Sequence, residues 1–316
     1  MILNSTKCIL LYAFLFICKI HAQDFFSGKI TYEVKYESPI DNKNAEHLAQ
    51  ENLIDSIVYY IQDGNYKSET YFEGQITESY VYNQQSNWVH YRFPDKDYYL
   101  SIDVTTEKMN FGKIKFNWQN EANEILGYSA SKAEVVKAYN KEIIYYADQL
   151  RVNPKKFNQH KYAYWYETLI ETEGRLPIKT IQHDANYVEI REAILIEKSN
   201  YASDFFEPEP DFMQVVYRDI LDQEAILKEL NLEAEDCLNQ HIDKISNKLI
   251  LGKNDNYVIQ VVIDETGKPI KANSITTNED YYQTAEKIIL ECGFEFEPAI
   301  YKGKKVKSEL YIPLDF

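Results

Sequence analysis

Cys237 and Cys292, the histidines His47, His90, His160, His183 and His241, and the acidic run from Glu207 to Asp211 are the side chains here whose types could hold a metal, form a nucleophile or move a proton. Their spacing favours none of these. The sequence contains no H-E-x-x-H, G-x-S-x-G, C-x-x-C or glycine-rich phosphate loop. The histidines are scattered through polar neighbourhoods and are expected at the surface. Asp264 and Glu265 beside Gly267 read as a hairpin turn, because a calcium loop needs several more oxygens at alternating positions. No catalytic residue, cofactor or metal is therefore expected. Cys237 and Cys292 fall on two helices that should cover the same face of a C-terminal sheet. They are read as core thiols, with a disulfide between the helices as the alternative.

Aromatic residues are the other candidates. Tyr59, Tyr60, Tyr66, Tyr71, Tyr80, Tyr82, Trp88, Tyr91, Phe93, Tyr98 and Tyr99 crowd one region and suit sheet packing, or else a ligand groove that uses their apolar rings and polar tips. Tyr162, Tyr164, Trp165 and Tyr166 would occupy both faces of a strand, so part of that cluster should meet another surface. A second candidate surface lies near the C-terminus, where Lys304, Lys305, Val306, Lys307 and Tyr311 flank a strand expected over 306–314. As the last element of the chain, that strand is expected at a sheet edge, open to an extended peptide.

The elements that position these residues follow from hydrophobic period. Residues 28–37 alternate apolar and polar side chains, the mark of a half-buried strand. Strand-like runs follow at 56–62, 66–72, 76–82, 88–93, 97–104, 162–167, 176–182 and 187–197, with Asp63-Gly64, Glu73-Gly74 and Gly174 among the breaks. Short connections imply an antiparallel meander. The 27 Tyr and 10 Gly fit a sheet better than a helical bundle. Asp204 to Asp211, acidic and with two prolines, reads as the end of a first module. Beyond it come a helical pattern, a hairpin over 257–274 turning at Asp264 to Gly267, a helix capped by Asn278 with Ala285, Ile288, Ile289 and Cys292 inward, and the final strand.

At the N-terminus, Lys7 precedes an apolar run from Cys8 to Cys18, too short to span a bilayer but suited to a secretory signal, with Ala22 before the expected cleavage site. A lipoprotein acylated at Cys18 fits less well, because Ile17 stands where such signals want a small residue. The mature chain is expected to have no transmembrane anchor and to be periplasmic or secreted. The formal net charge of -16 argues against nucleic acid as a partner.

Val261-Val-Ile263-Asp264-Glu-Thr-Gly267-Lys-Pro-Ile270, Phe294-Glu-Phe296-Glu-Pro298-Ala299, Gly303-Lys-Lys-Val306 and Ile312-Pro-Leu-Asp-Phe316, in this order, resemble the C-terminal domain of TonB-type energy transducers. With neither the membrane anchor nor the proline-rich spacer of that family, the resemblance implies peptide or protein binding, not energy transduction. Gly28-Lys-Ile-Thr-Tyr32-Glu, Ile125-Leu-Gly-Tyr128 with Lys132-Ala-Glu-Val135, and Gly174-Arg-Leu-Pro177 resemble the GLPGLI and DUF4412-like exported proteins of Bacteroidetes. These are similar to LolA-like half-barrels, which implies an antiparallel sheet wrapped around an apolar cavity. The expected layout is an α+β protein: a signal peptide (1–22), a half-barrel (24–211), a linker (212–224) and a TonB-C-like domain of a small antiparallel sheet with two helices (225–316). The expected function is a noncatalytic envelope protein in a binding or transport-accessory role, its partner an envelope protein or extended peptide. The alternatives are a carrier of an apolar small molecule and a hydrolase built from carboxylates dispersed in sequence.

Overall fold

A computed structural model describes residues 25–37, 48, 52–110, 112–137, 140–184, 187–246, 257–274 and 286–314. The expected signal peptide, His47 and the Asn278 cap lie outside these residues.

Strand β1 (Gly28–Glu37) is followed by β2 (Ser56–Gln62), β3 (Asn65–Phe72), β4 (Gln75–Asn83), β5 (Trp88–Arg92) and β6 (Tyr98–Asp103). The turns are dictated locally. Asp63 and Gly64 have φ of 46° and 90°, the double left-handed geometry of a two-residue hairpin whose twist matches its strands. Gln62 and Asn65 pair across it. Glu73-Gly74 repeats the device between β3 and β4. A second arm comprises β7 (Lys115–Ile125), β8 (Tyr128–Lys137), β9 (Asn140–Arg151), β10 (Arg175–His183) and β11 (Val188–Lys198). Strand β1 joins the arms, pairing with β2 on one side and with β11 on the other, so that Gly28 lies opposite Lys198.

The resulting antiparallel sheet is curled. Ile30 of β1, Ile61 of β2, Tyr66 of β3, Tyr82 of β4, Val89 of β5, Ala147 of β9 and Ile178 of β10 are all buried in one cluster, which strands far apart in sheet order could not share if the sheet were flat. Inside the curl sit the 3-10 turn Pro154–Phe157 and helix α1 (Trp165–Glu171), which bury Phe157 and Leu169. The aromatic run expected as a strand over 162–167 is thus a 3-10 turn leading into α1. Ala163 and Tyr164, at φ of 52° and 60°, turn the chain there, which no strand permits.

After residue 198 the chain forms a 3-10 turn (Ser203–Phe206) that buries Phe206, then β12 (Met213–Val216), which lies in the segment expected to be a linker. It runs parallel to β6, and its Val216 pairs with Ser308. The C-terminal elements are β13 (Ile226–Leu227), α2 (Leu232–Ser246), β14 (Tyr257–Ile263), β15 (Pro269–Ser274), a helical stretch at 286–291, β16 (Phe296–Glu297), β17 (Ala299–Tyr301), β18 (Lys304–Val306) and β19 (Ser308–Leu314). The hairpin expected over 257–274 forms as β14 and β15. At its turn Asp264 Oδ1 accepts from the Thr266 and Lys268 amides, and Gly267 adopts φ of 90°. A Cβ on Gly267 would stand 2.0 Å from the Phe296 carbonyl oxygen, so close approach of the 296 strand requires glycine.

Among the described residues, fifteen strands form one sheet, in the order β15-β14-β19-β12-β6-β5-β4-β3-β2-β1-β11-β10-β9-β8-β7. Fold class is therefore mostly β with few helices. The terminal strand does not lie at the edge, contrary to expectation: β14 pairs along the whole of β19, and β12 joins its other side at Ser308. The edges are β15 and β7.

Behind β14, β15 and β19, Cys237 of α2 and Cys292 pack with Ile259, Val261, Ile288, Ile289 and Phe296. The two cysteines form a disulfide, their Cα atoms 5.5 Å apart. Of the two readings open from sequence, the bridge is the one found.

Candidate functional site

Inside the curl lies a cavity of about 580 Å³. Tyr32 of β1, Tyr59 of β2, Ser68 and Thr70 of β3, Glu78 and Tyr80 of β4 form one wall; Leu176, Pro177 and Thr180 of β10, Arg191 of β11 and Trp165 of α1 form the other. Alternation along each strand sends every second side chain inward, which is how six strands contribute to one space. The volume is that of a small-molecule pocket, roughly 300–1,000 Å³.

The lining mixes apolar side chains with polar ones, among them Asn52, Ser68, Thr70, Thr77, Thr180, Glu78 and Arg191. The Tyr32 hydroxyl donates to the Pro177 carbonyl oxygen at 2.7 Å, closing β1 onto β10. Arg191 Nε donates to Glu189. Burial lifts the Glu78 carboxyl above the usual carboxylate range, against the pull of Arg191. Burial also drives the Tyr59 hydroxyl well above its ordinary pKa, so it stays a neutral donor. Tyr59 Oη and the Trp165 indole Nε1 are buried without a hydrogen-bond partner among the described residues.

Around the cavity the expected surface histidines are corrected. His160 and His90 are buried, with 1% and 3% exposure. His160 Nε2 bonds the Tyr66 hydroxyl at 2.6 Å, and His90 Nδ1 bonds Ser101 Oγ at 2.8 Å. Desolvation pushes their pKa values down to about 3 and about 4. His160 is flanked by the polar Gln159 and Lys161, yet its turn position faces the core, which local polarity does not reveal; His90 stands between Val89 and Tyr91 on β5.

The aromatic candidates divide. Tyr59 and Tyr80 reach the cavity, while Tyr66 and Tyr82 stack at 4.9 Å within the core. Trp165 joins the cavity wall, Tyr162 packs against the core, and Tyr164 donates to the Gly112 carbonyl oxygen at 3.2 Å. Tyr166 is half-buried, away from the lining residues. Glu78 and Arg191 were not singled out in the sequence, since nothing local marks them.

A second, wider groove of about 950 Å³ lies where β12 and β18 diverge, lined by Trp88, Phe212, Met213, Lys304, Lys305 and Val306 among others. Of the expected basic cluster, Lys307 is engaged within the chain, its Nζ 2.9 Å from Glu265; the neighbouring Lys302 Nζ lies 2.6 Å from the buried Asp103 carboxylate. Asp103 also accepts from the Tyr301 hydroxyl at 2.9 Å. Burial would raise its pKa, but these donors hold it below the usual range. Lys304 and Lys305 are exposed, without an ion-pair partner among the described residues. Tyr311 is turned away from this groove, its hydroxyl bonded to Gln260 and Glu309.

His241 Nδ1 lies 3.9 Å from Cys237 Sγ, and these two residues with Cys292 form a compact trio of ligand types. With both sulfurs bonded to each other, no thiolate is offered to a metal. Among the described residues no helix is long and apolar enough to cross a membrane.

No family model and no curated protein matches the chain. Similar solved structures include PNGF-II in two crystal forms, each 13% identical, with TM-scores of 0.39 and 0.37 over 77% and 76% of this chain. LprF from Mycobacterium bovis is 8% identical, with a TM-score of 0.24 over 60% of this chain and 90% of that one. The chain spans 45% and 44% of the two PNGF-II chains it matches.

Proposed function

We propose that this chain is a noncatalytic binding protein of the cell envelope, whose N-terminal sheet acts as a half-barrel carrier for a small apolar or amphipathic molecule. The observation that carries the reading is the cavity of about 580 Å³ between the curled sheet and α1, with Tyr32, Tyr59, Tyr80 and Trp165 in its lining. A hydrolase of the two-carboxylate kind is less well supported, because Glu78 is the one carboxylate among the lining residues. Export with cleavage near Ala22 belongs to the same proposal. The test is binding of the neutral dye N-phenyl-1-naphthylamine to the full chain. Its fluorescence should rise on binding, and Thr180→Trp, which fills the cavity from β10, should abolish the rise while leaving far-UV circular dichroism unchanged. A dye signal indifferent to Thr180→Trp would overturn the assignment.

The groove at β18 favours a second reading, in which the C-terminal region binds an acidic envelope protein or peptide. Lys304 and Lys305 present unpaired positive charge in a chain of net charge -16. Exchange of both for Glu should abolish binding of a fluorescent poly-glutamate peptide at low salt. Unchanged binding would remove the groove from consideration.

A further inference from the structure

We propose that the cavity holds an amphiphile with an ammonium head, bound by the Glu78 carboxylate at the solvent end while the chain runs inward. The inference rests on the carrier reading above and narrows its ligand. Strand register sorts the lining into two levels. Glu78, Thr70, Ile57 and Tyr32 stand opposite one another across β4, β3, β2 and β1. Two residues along each strand, on the same face, Tyr80, Ser68, Tyr59 and Ile30 form the second level. The second level is the inner one: Ile30 and Ser68 are buried, and Trp165 meets Tyr59 there. The first lies toward solvent, where Thr77 Oγ1 donates at 3.0 Å to the carbonyl oxygen of the half-exposed Leu53. On the facing wall Arg191 pairs with Thr180 and lies opposite Val34, beyond Tyr32 on the solvent side. Both charged side chains therefore stand at one end of the cavity, and Ile30, Trp165 and the rings of Tyr59 and Tyr80, with Ser68 among them, stand at the other.

The two charges are not equivalent. Arg191 Nε donates to Glu189, a buried carboxylate, so the chain itself supplies the counter-charge. Glu78 has no hydrogen bond or ion pair among the described residues; burial and the Coulomb attraction of Arg191 are what act on it. It is half-buried rather than sealed, so a guest in the cavity reaches its oxygens. A partly desolvated carboxylate without a counter-ion is costly, and a cation on the guest removes that cost. An ammonium group has three donors and no acceptor, which suits the Glu78 carboxylate together with the Thr70 hydroxyl oxygen on the neighbouring strand. A fatty-acid carboxylate would set a second anion beside Glu78, while the cation it needs already serves Glu189. The inner level offers the hydrocarbon chain aromatic rings and the Ile30 side chain to pack on.

The experiment measures displacement of N-phenyl-1-naphthylamine from the full chain at neutral pH by decylamine, decanol and decanoate, which share a chain length and differ in the head. Decylamine should compete best, about tenfold better than decanol, the scale of one charge-assisted hydrogen bond, and decanoate should compete worst. Glu78→Gln keeps the size of the side chain and removes its charge. It should cut the preference for decylamine over decanol by about threefold to tenfold. The preference is a ratio within one variant, so loss of fold would show as loss of dye binding, and the wild-type order of the three competitors then decides alone. Equal competition by amine and alcohol in the wild type, or decanoate as the best competitor, would overturn this inference and leave the carrier reading standing. An amine preference that survives Glu78→Gln would also overturn it. No displacement by any of the three would overturn the carrier reading itself.

Discussion

At the scale of single residues, the buried imidazoles couple folding to pH. His160 and His90 are neutral in the folded chain, with pKa values of about 3 and about 4, against an ordinary 6.5. Between pH 6.5 and these values the unfolded chain binds protons that the folded chain refuses, so stability falls as pH falls. From pH 6.5 to pH 5 each contributes a loss of about 2 kcal/mol, at 1.36 kcal/mol per pH unit. Urea unfolding of His160→Phe at pH 7 and pH 5 should show a pH dependence smaller than wild type by about that amount. An equal dependence would mean that His160 titrates near its ordinary value in the fold. The ring is fixed by Tyr66 on β3, which meets Tyr80 of the cavity wall edge-on and stacks on Tyr82 in the core, so the substitution should also loosen the packing behind the cavity.

At the scale of elements, the C-terminal hairpin depends on a turn that glycine alone accommodates. Gly267→Ala would force a Cβ into the Phe296 carbonyl at a φ of 90°, and should cost about 2 kcal/mol or more in thermal or urea unfolding. That turn was legible in the sequence, as were β1 and β2 to the residue, because alternation and a turn dipeptide coincide there. Strands β7, β8 and β9 were not. Gln119 to Glu124 is polar apart from Ala122 and sits on an edge strand with solvent on both faces, while β8 buries Ala130 and Ala133, residues that carry little strand signal. The run at Tyr162 was misread because its composition suits a strand, whereas its role inside the curl requires a compact turn and helix. Tyr59 and Tyr80 were named as aromatic candidates. Their meeting with Trp165, Glu78 and Arg191 arises from β1, β4, β10 and β11 closing around one space, a long-range event with no local signature.

At the scale of the whole molecule, the two modules expected from sequence share one hydrogen-bonded sheet, because β12 pairs with both β6 and β19. Side chains reinforce the seam. Glu309, with 3% of its side chain exposed, pairs with Lys96 at 3.0 Å and accepts from Gln260 at 2.8 Å, and Tyr98 bonds the same carboxylate. Glu309→Ala would leave Lys96, itself only 11% exposed, without its counter-charge. A loss of about 3–5 kcal/mol is expected. Calorimetry of the full chain would read it, and a change below 1 kcal/mol would show that water reaches the seam. The pairing of β1 with β11 sets a further condition on the molecule, one of time. A chain made N-terminus first completes Gly28 long before its partner Lys198 exists, by roughly 10–30 s at 5–20 residues per second. Through that interval one side of β1 has nothing to pair with, and its amides are free to recruit any other strand nearby. The element that later joins the two arms of the sheet is thus the nascent chain's most exposed aggregation site, and the cavity it walls can close only after residue 198 has arrived.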